Sequence, residues 1–228
     1  IVSCGSGAHL GPDWHRAGRA TPSHSTLCLG GYSSARLGKP VKTSGVYREL
    51  LVEAPKIVPV EMSQTAEGVK FEGAHSGYVP PFGLTHARKL SLSLDGRSLA
   101  GEDLLIALDD TAGNAGETVL SDDINPNVDF QIRFHLHPEV DAALDLGGTT
   151  VAIAAKSGEI WIFRHESKLS LTIEPGVYLE KNQPIPRSSR QIVLSGMVND
   201  ALTRAQWSLS KTQDTAMAIR DLRLEELR

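Results

Sequence analysis

The chain alternates apolar and polar positions over short stretches, most clearly where Phe130, Ile132 and Phe134 share one face. A period of two places successive side chains on opposite faces, which is the pattern of a half-buried β-strand. Phe134, and Trp161 in a later stretch of the same kind, are therefore expected in the core. Similar alternation or short apolar runs predict further strands at residues 25–32, 46–53, 56–62, 69–74, 89–94, 98–108, 149–155, 160–164, 168–173, 189–195 and 206–209.

Turn residues separate these stretches. Asp95-Gly96 is a strong hairpin signal, and Gly147-Gly148 and Ser157-Gly158 supply further turns. Pro59 removes a backbone donor, so the strand at 56–62 is expected at a sheet edge or a bulge. Many short strands spaced by turns predict an all-β fold, a two-sheet antiparallel β-sandwich.

The predicted sandwich occupies residues 1–212. Residues 213–228 form a C-terminal tail whose apolar positions among charges suit a short helix. Residues 109–127 are polar and contain glycine, so we expect a mobile surface loop there. The chain lacks an initiator Met and starts on apolar residues typical of a strand, so we expect further residues before Ile1. The glycines and Pro12 that follow predict a strand end and a loop over residues 1–13, and the polar stretch at 33–45 predicts a connection.

Composition limits the function classes. The 228 residues are 40% hydrophobic and 22% charged, which is typical of a globular protein with a sizeable core. No apolar run approaches the roughly 20 residues of a membrane span. The net charge of −4 argues against general nucleic-acid binding. Six Lys and Arg against two acids in the first 50 residues indicate either a face for an anionic ligand or solvated surface cations.

The two cysteines, Cys4 and Cys28, are too few for a disulfide framework. Both lie near predicted strand ends. We expect two buried thiols, since free cysteine is among the most buried residue types.

Two stretches concentrate side chains that can do chemistry. In the first, from residue 14 to residue 24, five such side chains precede a strand: Trp14, His15, Arg16, Arg19 and His24. In the second, imidazole, phenol and guanidinium groups lie within fourteen positions: His75, Tyr78, His86 and Arg88. Loops held by a rigid scaffold often carry binding and catalytic groups.

These stretches also carry a family pattern. Arg19-x-Thr21-x-x-His24-Ser25-Thr26, with Cys4-Gly5 upstream, resembles the C-terminal β-domain of the heparinase II/III-like polysaccharide lyases. The similarity extends over about residues 1–210. It includes His-x-Gly-Tyr at 75–78, Gly-Leu-x-His-x-Arg at 83–88, F-x-I-R-F-H-L-H-P at 130–138 and S-G-E-I-W-I-F-R at 157–164.

The resemblance implies a function as well as a fold. Such lyases cleave uronic-acid polysaccharides of glycosaminoglycan or alginate type by β-elimination, which needs a base, an acid and groups that neutralise the uronate. The family implies a bacterial, periplasmic protein in which an N-terminal (α/α) toroid supplies part of the site. The implied partners are that toroid and an acidic polysaccharide, with neither nucleic acid nor membrane. The alternative is a non-catalytic carbohydrate-binding or structural sandwich.

The resemblance makes His24 and Arg19 the catalytic candidates. His24 is a base, a charge neutraliser or a metal ligand, or else a loop histidine that braces the turn. Some family members use the equivalent of His24 to bind zinc, together with an Asp where this chain has Ser3. A serine hydroxyl is a poor zinc ligand, so we expect no metal cofactor. Arg19 either clamps a carboxylate or braces the loop.

The substrate-binding candidates are Trp14, Arg16, His75, Tyr78, His86 and Arg88. Each has a structural alternative: Trp14 as a buried anchor and the residues of the second stretch as packing groups. His135 and His137 are expected in ordinary solvated or hydrogen-bonded roles. Glu102 and Asp103 are neighbours on one strand and should point to opposite faces, so they do not form a glycosidase pair.

Overall fold

The computed structural model describes residues 1–107, 128–145, 147–165, 168–198 and 200–212. The predicted loop at 109–127 and the predicted tail helix lie outside the described residues. The helical elements are two 3-10 helices and two α-helices: Ala8–Leu10, Thr21–Ser23, α1 (Pro12–Gly18) and α2 (Val79–Phe82). The strands are β1 (Leu27–Leu29), β2 (Arg36–Leu37), β3 (Val41–Thr43), β4 (Val46–Arg48), β5 (Leu51–Glu53), β6 (Val60–Thr65), β7 (Gly68–His75), β8 (Leu84–Ser93), β9 (Ser98–Ala107), β10 (Val128–His135), β11 (Val140–Leu144), β12 (Thr150–Ala155), β13 (Ile160–His165), β14 (Ser170–Tyr178), β15 (Arg187–Val198) and β16 (Leu202–Lys211).

Two antiparallel sheets form the sandwich. The larger has eight strands in the order β11-β12-β13-β16-β9-β8-β7-β6, and the smaller has four in the order β1-β10-β15-β14. Two short ribbons, β2–β5 and β3–β4, complete the described strands. The all-β antiparallel prediction is confirmed. β6 lies at the edge of the larger sheet, as the proline before it predicts.

The core lies between the two sheets. Phe134 is 1% exposed, and its ring centroid lies 4.8 Å from that of Phe163 and 4.7 Å from that of Trp207. The alternation that places Phe134 inward turns His135 to the opposite face of the smaller sheet. Trp161 packs against the core but remains partly exposed, so it lies at the core boundary.

Three local predictions differ from the structure. Residues 1–13 were expected as a strand end and loop, but α1 begins at Pro12, where proline at the first helical position and an acid after it favour a start. The single strand predicted at 46–53 is two strands, β4 and β5, in different ribbons. Strand β11 was not predicted, because its alanines weaken the apolar signal.

Glycine is required where α1 meets the N-terminal loop. A Cβ on Gly18 would lie 2.5 Å from the carbonyl oxygen of Gly5, so a larger residue would push the helix away. The helix end therefore lies directly against this loop, and the chain then turns towards His24. Within the described residues, no helix has the length and apolar character needed to cross a membrane.

Candidate functional site

His24 and Arg19 face a common cavity. The cavity has a volume of about 400 Å³, and its lining includes Arg19, His24, Ser34 and His75. Helix α1 and the 3-10 helix Thr21–Ser23 position the first two of these side chains. Among the described residues, the guanidinium of Arg19 has no ion-pair or hydrogen-bond partner. It is therefore free to bind an anion.

A larger cavity adjoins this one. It has a volume of about 660 Å³ and shares Arg19 and Ser34 with the smaller cavity. Its lining adds Arg16, Arg36 and Tyr32, and Tyr32 is 60% exposed. Together the two cavities form a groove large enough for several sugar rings, with cations and an aromatic ring along its wall.

Two of the arginines in this groove are already paired. Nη2 of Arg16 lies 2.5 Å from Oε1 of Glu49 and also donates to the carbonyl of Gly38. Arg36 forms an ion pair with Glu53. The local excess of positive charge expected from the sequence is therefore partly neutralised, which makes Arg19 the strongest candidate for binding a carboxylate.

Nδ1 of His24 lies 3.1 Å from Oγ of Ser3. Its Nε2 has no hydrogen-bond partner within the part of the chain that the structure describes. The described residues contain no group of three or more His, Cys, Asp or Glu side chains placed to hold a metal. A hydroxyl beside one imidazole does not fit zinc, and a base or hydrogen-bonding role for His24 stays a prediction.

The second stretch folds into a buried network centred on Asp103. Nε2 of His86 lies 2.8 Å from Oδ1 of Asp103, and Arg88 donates to both carboxylate oxygens at 2.8 and 3.1 Å. Nε1 of Trp207 donates to Oδ2 at 3.0 Å. Asp103 is 1% exposed, while its neighbour Glu102 lies on the other face of β9, as predicted.

Asp103 and Arg88 form the ion pair of this network. Burial alone would raise the pKa of Asp103, but the guanidinium of Arg88 and the hydrogen bond from His86 outweigh it and lower the pKa to about 2. Burial, with a smaller contribution from His86, lowers the pKa of His75 to about 4. At neutral pH the carboxylate is ionised and the ring of His75 is neutral.

The hydrogen bonds define the tautomers of both histidines. The backbone N–H of Gly77 donates to Nδ1 of His75, so the proton of this neutral ring is on Nε2. That proton is donated to Nδ1 of His86, 3.1 Å away, and Nε2–H of His86 is donated to Asp103. Both ring nitrogens of His75 are therefore occupied, although the ring borders the cavity.

The remaining candidates lie apart from the cavity wall. Tyr78 is completely buried, and its hydroxyl donates to the carbonyl of Leu27 at 3.0 Å, while burial raises its pKa. It packs the interior here and makes no contribution to the groove surface. Trp14 is 37% exposed on α1 and lines neither cavity. His86 and Arg88 lie beneath the groove as supporting groups.

Sequence reasoning missed several groups at this site. Asp103 was noticed only through its neighbour Glu102, and the contact between Cys4 and His135 spans 131 positions. Ser34 lies in residues 33–45, which were expected to be a plain connection, and Tyr32 was placed at the end of the strand predicted at 25–32. Glycine and serine content gave no indication that this connection would fold back over the His24 loop.

Comparison with known proteins gives the family. The model for "Heparinase II/III-like, C-terminal" matches residues 1–213. FtsZ-localized protein C of Caulobacter vibrioides is 30% identical over 223 residues, which are 93% of this chain and 35% of that protein.

Solved structures show the same fold. Heparan sulfate lyase HepC of Pedobacter heparinus matches with a TM-score of 0.60 and 12% identity over 88% of this chain and 25% of that one. Heparinase III, the BT4657 gene product, matches with a TM-score of 0.63 and 11% identity over 94% of this chain and 28% of that one. The chain thus spans about a quarter to a third of the length of these relatives. It belongs to the heparinase II/III-like C-terminal domain family.

Proposed function

We propose that this domain forms one wall of a cleft that binds a uronic-acid-containing polysaccharide in a heparinase II/III-like lyase. The observation that carries the proposal is that one cavity holds the guanidinium of Arg19 and Nε2 of His24, neither of which is bonded to any described residue. Arg19 is suited to bind the uronate carboxylate, and His24 is suited to accept the C5 proton or to neutralise the developing charge. The groove beyond Arg19 would hold neighbouring sugars.

The described lining of the smaller cavity includes no carboxylic acid and no phenol that could protonate the leaving oxygen. β-Elimination needs such an acid together with the base. In the adjoining cavity, Glu53 is paired with Arg36 and the phenol of Tyr32 does not line the cavity that holds His24. The proposal therefore takes the missing group from an N-terminal toroid of the same protein. On this account the isolated domain binds the polysaccharide but does not cleave it.

A docking surface for the toroid is part of the proposal. Seven large apolar side chains within thirteen positions are each more than half exposed: Leu50, Leu51, Val52, Ile57, Val58, Val60 and Met62. We call these residues the 50–62 apolar surface. A concentration of exposed apolar groups marks an interaction site, and the relatives are about three times as long as this chain. The toroid is therefore the proposed occupant.

The second candidate is a non-catalytic domain that binds carbohydrate or braces a partner. It is favoured by the relative at 30% identity, whose name describes localisation with FtsZ and no enzymatic activity. The carbohydrate-binding form of this candidate places its ligand in the same groove, and the bracing form places none there. The lyase and the carbohydrate-binding form differ in whether the bound polysaccharide is cleaved once the rest of the protein is present.

Titration calorimetry of the domain tests the binding proposal. We expect heparan sulfate or alginate to bind and neutral dextran not to bind. Arg19→Ala should weaken binding by roughly 10-fold or more, the scale for a hydrogen bond to a charged group. Lys70→Ala removes an exposed cation outside the groove and serves as the control. Equal losses for the two variants would indicate general charge attraction and contradict the proposed site.

A further inference from the structure

His135 makes two hydrogen bonds through its ring on the face of β10 that points away from the core. Its Nε2 lies 2.8 Å from the carbonyl oxygen of Pro22, and its Nδ1 lies 3.3 Å from Sγ of Cys4. A carbonyl can only accept, so Nε2 carries a proton. His135 is 4% exposed and Cys4 is also 4% exposed, so water does not compete for these contacts.

The protonation state of the pair follows from burial and geometry together. Burial lowers the pKa of His135 and raises that of Cys4. The neutral ring has its proton on Nε2, so Nδ1 is an acceptor and the thiol is the donor. The order is therefore Cys4 S–H to Nδ1, and Nε2–H to the Pro22 carbonyl. In this arrangement the thiol is a hydrogen-bond donor with no nucleophilic character.

His135 contacts the chain on both sides of His24. Its ring holds the carbonyl of Pro22, and its backbone N–H donates to Oγ of Ser25 at 3.0 Å. The hydroxyl of Ser25 in turn donates to the carbonyl of Val2 at 2.7 Å. The buried His135 thus holds Pro22 and Ser25, the residues two before and one after His24.

Two further hydrogen bonds hold the backbone on either side of His24. The backbone N–H of Cys4 donates to the carbonyl of Ser23 at 3.0 Å. Nη1 of Arg88 donates to the carbonyl of Ser25 at 2.8 Å, and Arg88 is itself held by Asp103. The backbone around His24 is held from both sides, while its imidazole is held at Nδ1 by the hydroxyl of Ser3.

We propose that His135 is a positioning residue for His24, held in its Nε2–H tautomer by the Pro22 carbonyl and bonded at Nδ1 by the Cys4 thiol. This inference rests on the proposed function, because it assigns His24 the role of presenting a nitrogen to the groove. Loss of the Pro22 contact would free a turn whose placement determines the distance from His24 to a bound sugar. His135 itself lies behind the turn and does not reach the ligand.

Imidazole nitrogen NMR of the domain tests the tautomer without any ligand. We expect the Nε2–H form of His135 across neutral pH in the wild type. In Cys4→Ala, Nδ1 loses its donor but Nε2–H still bonds the Pro22 carbonyl, so we expect the Nε2–H form to be retained. An Nδ1–H ring or a protonated ring in the wild type at neutral pH would overturn the proposal.

Substitution of His135 tests the positioning. His135→Leu should shift and broaden the ring signals of His24 and weaken polysaccharide binding at least fivefold. His135→Gln, whose amide N–H can reach the Pro22 carbonyl, should recover most of both. If His135→Leu does not fold, Ser25→Ala, which removes the hydroxyl that accepts from the backbone N–H of His135, loosens the same turn and provides the comparison. Unchanged His24 ring signals in a folded His135→Leu domain would refute positioning. The proposed function is tested separately, by whether the wild-type domain binds polysaccharide in calorimetry.

Discussion

Replacement of Asp103 by Ala should be among the most destabilising single changes in this domain. Its carboxylate accepts four hydrogen bonds, from His86, from two nitrogens of Arg88 and from Trp207, at 2.8 to 3.1 Å. The substitution leaves the guanidinium of Arg88, whose side chain is 16% exposed, without its countercharge. Removal of one member of a buried ion pair typically costs about 3–5 kcal/mol.

The lowered pKa of Asp103 gives a second estimate of how much its carboxylate contributes to the free energy of unfolding. A carboxyl whose pKa is about 2 when folded and about 3.9 when unfolded stabilises the fold by about 2–3 kcal/mol above pH 4. Because the folded pKa is the lower one, this contribution is lost as the pH falls from about 4 to about 2. Asp103→Ala should lack that part of the acid sensitivity.

Urea denaturation at pH 7 measures the free energy of unfolding of the variants. Arg88→Leu combined with Asp103→Leu should recover part of the loss, because the double variant leaves no buried charge unpaired. A loss below about 1 kcal/mol for Asp103→Ala, or strictly additive single losses, would refute the account of this network.

Three further predictions concern other parts of the fold. His75 has a folded pKa of about 4, below the unfolded value of about 6.5, so the domain should lose stability as the pH falls from 6.5 to 4. In His75→Gln the melting temperature should depend less on pH over that interval, and an unchanged dependence would contradict the assignment. Phe134→Ala should cost about 3–5 kcal/mol in urea denaturation, and a loss below about 1 kcal/mol would mean that the side chain does not fill the core. The 50–62 apolar surface should bind the dye ANS in the isolated domain and bind less of it in a longer protein that includes the toroid, so equal fluorescence per domain would reject the toroid as its occupant.

Much of the fold could be predicted from local patterns. The two-residue period around Phe134 and the Asp95-Gly96 turn depend on neighbouring residues alone. The predicted strand at Phe134 and the predicted β8–β9 hairpin both agree with the structure. Helix α1 was not predicted, because Gly11 and Pro12 are typical of loops. Proline also favours the first turn of a helix, which is where Pro12 lies. Local patterns thus predict strands better than they predict where a loop changes into a helix.

The site was less predictable because its contacts join distant segments. His24 and Arg19 share a short stretch with a recognisable pattern, and the structure places both at one cavity. The contact between Cys4 and His135 and the burial of Tyr78 depend on how β10 and β8 pack against the N-terminal loop. Alternation shows which face a residue occupies, but it does not show which loop covers that face.

The most direct test of the account is the turnover of a full-length protein that contains this domain. Absorbance of unsaturated uronate in the near ultraviolet reports β-elimination on a panel of acidic polysaccharides, and a thermal melt reports folding. We expect activity in the full-length protein and none in the isolated domain. His24→Ala should lower turnover by roughly 10²-fold or more with little change in melting temperature. An unchanged rate with a large drop in melting temperature would show that His24 braces its turn, and the non-catalytic alternative would then be the better account.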